Sequence, residues 1–412
     1  MGLPLNGTWF DDGFEHIGIV LAFMCFSFDL RGHVHWARSY KNSFKDGKNC
    51  QGDENLKYTF RSPGRINLIG EHTDYNGGYV LPAAIDKYTY ITFEESDHFE
   101  VYSKYFDQRV RFSFNEKKEK VEWVNYVKGA VLYSLRGLRR EPKPWKIEIS
   151  GDLPMGAGLS SSASLIVGIV YALSRLGGVY RKREKIIKIA QKVESEFVGV
   201  KCGIMDQYAV AFGKKGSFML IDTEINRVIQ YVRALRFPKI TVVDSGVKHE
   251  LALSEYNKRR SECEKAKKII ATSFKRVNVQ MLEEKRNKLG ETLYKRARHV
   301  VEENNRVQSA VFAIEERDWK DLGRLLYESH ESLKDLYEVS TEETDFIVER
   351  LSKIKSVYGA RMIGAGFGGS ILAISKDYFD DDLKKISNEY KKAFGINMKS
   401  YHIRLAGSVR RI

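Results

Sequence analysis

Cysteine is scarce in these 412 residues: Cys25, Cys50, Cys202 and Cys263 are all there are, and they share no regular spacing. This excludes a disulfide-stapled secreted scaffold and a paired zinc-ligand motif, and it points to a reducing compartment with free thiols. Proline is also sparse, at seven. No Pro/Gly linker marks the domain boundary expected near residue 235, so the two halves should share a tight interface. There is no internal repeat, no low-complexity tract and no aromatic-plus-basic signature of an RNA-binding module. The nearly apolar run Ile17–Phe28 falls short of the ~20 residues that a spanning helix needs. Lacking a basic flank and a small-residue cleavage site, it also makes a poor signal peptide. Residues 1–36 are either a membrane-peripheral segment, an added strand or helix, or an extension of uncertain status from a misassigned start. The last is our expectation.

The chain has ordinary amounts of the rest. It is 43% hydrophobic and long enough for two substantial cores. Its net charge of +14 suits an anionic partner. The basic residues are mixed with acids, as in Lys182–Arg183–Glu184–Lys185, so the charge reads as a solvated surface plus a phosphate site, not a nucleic-acid footprint. Short β-rich runs between Tyr58 and Phe114 predict an antiparallel sheet. Helical spacing predicts helices over 123–138, 162–177 and 184–196, then long charged helices between 250 and 330. Strands are predicted at 146–150, 217–221, 228–232 and 240–244, with a mixed ending of helix and strand.

Three segments carry chemistry. In Arg61–Asp86, a strand through Ile66–Ile69 should end at Gly70 and present Glu71, His72 and Asp74 on one turn, with Arg65 just before it. Several hydrogen-bonding side chains on one turn suit a ligand with several hydroxyls, each of which needs a partner when buried. Gly151–Ser164 joins a strand to an apolar helix. Gly156 and Gly158 permit positive φ and close backbone approach. Ser160, Ser161 and Ser162 stand at the helix start, where free N–H groups favour an anion. No lysine follows the glycines, so this is not a Walker A loop. Finally, Asp206 lies among Gly203, Ile204 and Met205, where a carboxylate costs free energy unless it is paired.

The first block resembles the galactokinase signature nearly residue for residue, and the serine loop is similar to the phosphate loop of the GHMP kinases. Trp123–Gly129, Leu253–Tyr256 and Arg361–Gly369 extend the resemblance from about Phe44 to the C-terminus. It implies an α+β, two-domain fold: a ribosomal S5 domain 2-like N-terminal domain (37–235) and a ferredoxin-like C-terminal domain (236–412), with the active site in the cleft between them. It further implies ATP-dependent phosphorylation of galactose at the anomeric hydroxyl, with ATP and Mg²⁺. Asp206 would be the catalytic base and Arg65 its partner, an opposite charge that favours an ionised carboxylate. Arg65, Glu71, His72, Asp74, Gly203, Asp206 and Tyr256 would bind the sugar. Trp123, Gly156, Gly158 and Ser160–Ser162 would bind the nucleotide, and Ser162 with Glu194 the metal.

The expected setting is cytoplasmic, as a monomer or weak homodimer, without nucleic-acid or membrane partners. The rivals are a galactose- and ATP-binding sensor and a related kinase with altered sugar specificity, such as an N-acetylgalactosamine kinase. The intact Ser162–Ala163–Ser164 speaks against the sensor. Ile363 departs from the family by replacing a threonine hydroxyl near the site. Ser370, Glu342 and Thr344 also depart from it and are read as neutral.

Overall fold

The computed structural model describes residues 56–412 except 137–142, 178–179, 201 and 249–251. The expected extension over 1–36, the helical stretch near 37–44, Cys25 and Cys50 lie outside the described residues. Strand β1 (Lys57–Asn67) leads through a turn and the short β2 (Tyr79–Val80) into the long β3 (Pro82–Glu95). The hairpin β4 (Phe99–Ser103) and β5 (Gln108–Phe112) precedes helix α1 (Glu122–Leu135). Strand β6 (Trp145–Gly151) enters the glycine loop, and α2 (Ser161–Leu176) leaves it. Helix α3 (Arg183–Lys192) runs into a π-helical turn (Val193–Val198), followed by α4 (Met205–Phe212) and the hairpin β7 (Ser217–Asp222) and β8 (Arg227–Arg233).

The second half starts with β9 (Lys239–Lys248), α5 (Ala252–Ile270), α6 (Val279–Glu283) and α7 (Arg286–Glu316). Helix α8 (Trp319–Ser332) continues into a second π-helical turn (Leu333–Tyr337). Then come α9 (Glu342–Ser352), β10 (Val357–Ile363), β11 (Gly368–Ser375), α10 (Asp380–Phe394), β12 (Lys399–Ile403) and β13 (Arg410–Arg411).

The strands form sheets in the orders β13-β1-β3-β6-β4-β5, β10-β11-β9-β12 and β2-β7-β8. The first sheet corrects the antiparallel expectation. Strand β6 inserts between β3 and β4 and pairs with β4 in parallel, Val101 opposite Ile147. Alternating hydrophobicity reports which face is buried but not which neighbour a strand takes. Residues after β12 return to this sheet: Ala406 N–H donates to the Ala84 carbonyl, and Phe60 pairs with Arg411. Helix α10, not expected from the sequence, opens with Asp380, Asp381 and Asp382 and closes with Lys391 and Lys392, matching the helix dipole at both ends.

Phe60, Ile91 and Phe93 of the first sheet share a core with Ile166, Val167 and Val170 of α2. Ile66, Leu68 and Ile69 at the end of β1 are fully buried. At about 1.5–3 kcal/mol for each such side chain, they anchor the turn that follows.

Candidate active site

That turn is held from several directions. The Thr73 hydroxyl lies 2.8 Å from the Gly70 carbonyl and 2.6 Å from that of Tyr79. Asn76 Nδ2 donates to the His72 carbonyl at 2.6 Å. Helix α7 grips both flanks, accepting from Gly70 N–H at Glu303 and from Tyr79 N–H at Asn304. Burial opposes the Glu303 charge, but Arg306, His299 and Arg361 outweigh it and hold the carboxyl down at about 2. These contacts keep His72 at φ 61°, a left-handed conformation that a non-glycine residue holds only under constraint.

The turn faces a cavity of about 320 Å³. Arg65, Glu71, His72, Asp74, Gly203, Asp206 and Tyr256 all line it, together with Cys202 and the Gly364–Ala365 backbone. Arg65 grips Asp206 as a fork, Nε to Oδ1 at 2.7 Å and Nη2 to Oδ2 at 3.0 Å, while Nη1 donates to the Gly158 carbonyl. Burial alone would lower the Arg65 pKa, but Asp206, Glu71 and Asp74 raise it. Burial raises Asp74 to about 7, reinforced by the nearby charges of Asp206 and Glu71. Gly203 is required by close approach: a Cβ there would fall 1.8 Å from Asp74 Oδ2.

Two of the expected site residues are also engaged within the protein. Glu71 is already engaged by the protein: Oε1 accepts from Gly364 N–H at 2.9 Å and lies 3.2 Å from Arg361 Nη2, and Oε2 accepts from Asn67 at 3.0 Å. Ser160 sits in the left-handed region, makes no side-chain cap and donates its hydroxyl to Asp206 Oδ2. Of the three serines, Ser162 meets the second carboxylate, donating to Glu194 Oε1 at 2.9 Å. Glu194 projects from the π-helical turn and also accepts from Cys202, at 3.3 Å, and from Gln207. Burial and then Asp206 raise its pKa. Among the described residues it makes no ion pair.

Ser162 also lines a second cavity of about 240 Å³, walled by Trp123, Phe106, Tyr126 and Met155. Trp123 stacks on Phe106 at 5.3 Å between centroids. Gly156 and Gly158 (φ 77° and 66°) bend the loop between strand and helix.

Sequence reasoning missed Cys202, Phe106, Tyr337 and the pairing of Arg361, although Cys202 and Arg361 stand inside motifs it singled out. Of the departures from the family, Ile363 is buried in an apolar cluster with Leu153, Ala157 and Leu159. Ser370 and Thr344 each make a polar contact. Ser370 donates to the Ala157 carbonyl at 2.8 Å, tying β11 to the glycine loop. Thr344 completes a capping box with Thr341 at the start of α9.

Three family models match the chain: the galactokinase galactose-binding signature over residues 48–94, the GHMP kinases N terminal domain over 125–214 and the GHMP kinases C terminal over 310–395. The galactokinase of Thermotoga petrophila is 46% identical over 355 residues, 85% of this chain and 99% of that protein. The galactokinase of Pyrococcus furiosus is 40% identical over 363 residues, 86% and 99%. Among solved structures, Lactococcus lactis galactokinase complexed with galactose superposes with a TM-score of 0.81 at 35% identity, covering 86% of this chain and 95% of that one. The mevalonate kinase of Methanococcus jannaschii, at 22% identity and a TM-score of 0.63, shares the fold.

Proposed function

The chain belongs to the galactokinase family within the GHMP kinases, and from that premise we propose that it transfers the γ-phosphoryl group of ATP to the anomeric hydroxyl of α-D-galactose. The products are α-D-galactose 1-phosphate and ADP. The observation that carries this reading is the Arg65–Asp206 fork, 2.7 and 3.0 Å, in a cavity that shares Ser162 with the aromatic cavity beside it. One cavity suits a sugar and the other an adenine, with the serine loop between them for the phosphates.

In this reading the anomeric oxygen forms the new P–O bond as its proton passes to Asp206, and the bond to the ADP oxygen breaks. Arg65 aims the carboxylate and offsets charge, so catalysis rests on positioning and electrostatics. Glu194, buried with no cation beside it among the described residues, and the Ser162 hydroxyl form a donor set of the kind Mg²⁺ takes. When bound, the ion would neutralise phosphate charge. Trp123 and Phe106 offer an aromatic wall for adenine. Among the described residues no helix is long and apolar enough to cross a membrane. The supply of ATP and the free Cys202 and Cys263 suit a cytoplasmic setting.

A coupled ADP-release assay over a panel of sugars tests the whole reading. Galactose-dependent ADP release supports it. Binding of galactose without turnover would favour a sensor, and a preference for N-acetylgalactosamine the altered kinase.

Ser162→Ala should raise the KM for Mg·ATP by about tenfold or more, the cost of a hydrogen bond to a charged group, and leave the galactose KM nearly unchanged. Equal losses in both would reduce the serine to a structural part of its helix.

Asp74 predicts a pH dependence. With its pKa raised to about 7, it is roughly one-tenth ionised at pH 6 and nine-tenths at pH 8. Only the carboxylate accepts freely from sugar hydroxyls, so the galactose KM should fall about tenfold across that range. Asp74→Asn should flatten the profile. The folded protein holds this proton above the ordinary value of 3.8, so the group costs stability as pH rises from about 4 to 7. The asparagine variant should therefore melt higher than the parent at pH 8. A flat parental KM profile would remove Asp74 from sugar binding.

A further inference from the structure

His72 is the site residue whose support reaches furthest into the protein. Its Nδ1 lies 2.8 Å from the Tyr75 hydroxyl, which lies 2.9 Å from the Tyr337 hydroxyl, which lies 3.0 Å from Cys263 Sγ. Tyr337 and Cys263 are fully buried. The Tyr337 ring lies between two imidazoles, 4.6 Å from His72 and 4.5 Å from His299. Its backbone is fixed with unusual care for a π-helical turn. Arg259 donates to the carbonyls of Tyr337 and Glu338 at 2.7 and 2.8 Å, and Arg296 to that of Leu336 at 2.5 Å. On the other side of the His72 ring, Nε2 is buried with no hydrogen-bond partner among the described residues, although His72 lines the sugar cavity.

We propose that Tyr337, acting through Tyr75, is a positioning residue for sugar recognition: it holds His72 as the Nε2–H tautomer, so that the ring presents a donor to a sugar hydroxyl oxygen. The direction of the relay follows from the chemistry of its ends. The imidazole lone pair is the strongest acceptor in the chain and a phenol is a good donor, whereas a thiol is weak in both roles. The Tyr75 O–H therefore donates to Nδ1, the Tyr337 O–H to Tyr75, and Cys263 S–H completes the line. Protonation of both ring nitrogens would abolish the distinction. Burial, followed by the charges of His299, Arg259 and Arg361, pulls the His72 pKa well below its ordinary value and keeps the ring neutral. The second nitrogen is then the one polar atom of the ring still free for a ligand. The proposal rests on galactose occupying the cavity, but the tautomer is a property of the protein alone.

The test joins two readouts on the full chain. Nitrogen-15 NMR of the histidines, with His72 assigned by its loss in His72→Gln, should show the Nε2–H tautomer in the unliganded parent. Tyr337→Phe should shift His72 toward a mixture of tautomers. It should raise the galactose KM by about five- to tenfold, one neutral hydrogen bond, and leave kcat and the Mg·ATP KM within about twofold. Tyr75→Phe should do the same, and the double variant should add little to either. A packing role alone would lower the melting temperature and leave the tautomer alone. An Nδ1–H parent, or a Tyr337→Phe protein with unchanged tautomer and KM, overturns the proposal. A parent that fails to phosphorylate galactose overturns the functional reading instead, and the NMR comparison still decides the relay.

Discussion

Asp206→Asn is expected to lower kcat by about a thousandfold, within the 10²–10⁴ typical of a lost general base, with the fold unchanged. The substitution keeps the shape but not the chemistry. Arg65 donates through Nε and Nη2, and Ser160 donates through its hydroxyl, all to the two oxygens of Asp206. An asparagine offers one acceptor and one donor to this set, so one of the three donors loses its partner and the proton acceptor is gone. In the proposed reading both defects act on the anomeric proton, while His72, Asp74 and Tyr256 would remain to hold the sugar. The galactose KM should therefore change much less than kcat. Steady-state kinetics beside a melting curve separate the two. A kcat within about tenfold of the parent, at equal melting temperature, would take Asp206 out of the proton transfer.

The largest expected effect on stability comes from Arg361→Met. Arg361 has no exposed surface, and its Nη1 donates to the carbonyls of Asn67 and Leu68 at 3.1 and 3.0 Å. Its Nη2 lies 3.2 Å from Glu71 Oε1, close enough to pair in charge but outside hydrogen-bond alignment. Removing the guanidinium takes a counter-charge from a buried carboxylate and the donor from two strand-end carbonyls at once. Breaking a buried pair from one side costs about 3–5 kcal/mol, a large part of the 5–15 kcal/mol that holds a typical domain folded. Chemical denaturation should show the loss. Arg361→Met combined with Glu71→Gln should recover part of it, because the uncompensated charge is then gone. A single variant that loses less than about 1 kcal/mol would mean that water reaches Glu71 and the pair does not matter.

What could be read in advance divides along a physical line. The turn of Glu71, His72 and Asp74 and the loop of Gly156 to Ser162 are local. Their apolar flanks, glycines and caps lie within a few residues of the chemistry, so the sequence displays them. The family resemblance then joined Arg65 to Asp206 and Ser162 to Glu194, and both pairs meet in the structure. Neither source could show that Ser160 turns its hydroxyl to Asp206. Nor could they show that Glu71 answers to Arg361, or that Phe106 closes the aromatic cavity. Those contacts join residues distant in the chain, and no local pattern records which partner a buried polar group takes. The parallel pairing of β4 with β6 escaped for the same reason. So did the contact of Tyr337 with Tyr75.

The pairing of Phe60 with Arg411 also bears on how the molecule is made. Strand β1, which carries Arg65, leaves the ribosome well before residues 410 and 411, which form the strand on its outer edge. During synthesis that edge stays open, with unpaired backbone groups available to any other strand. The sheet that carries Arg65 can close only after residues 410 and 411 have emerged, long after β1 itself. Shortening the C-terminal segment would thus be felt first as misassembly in the cell, before any loss of activity in the protein that does fold.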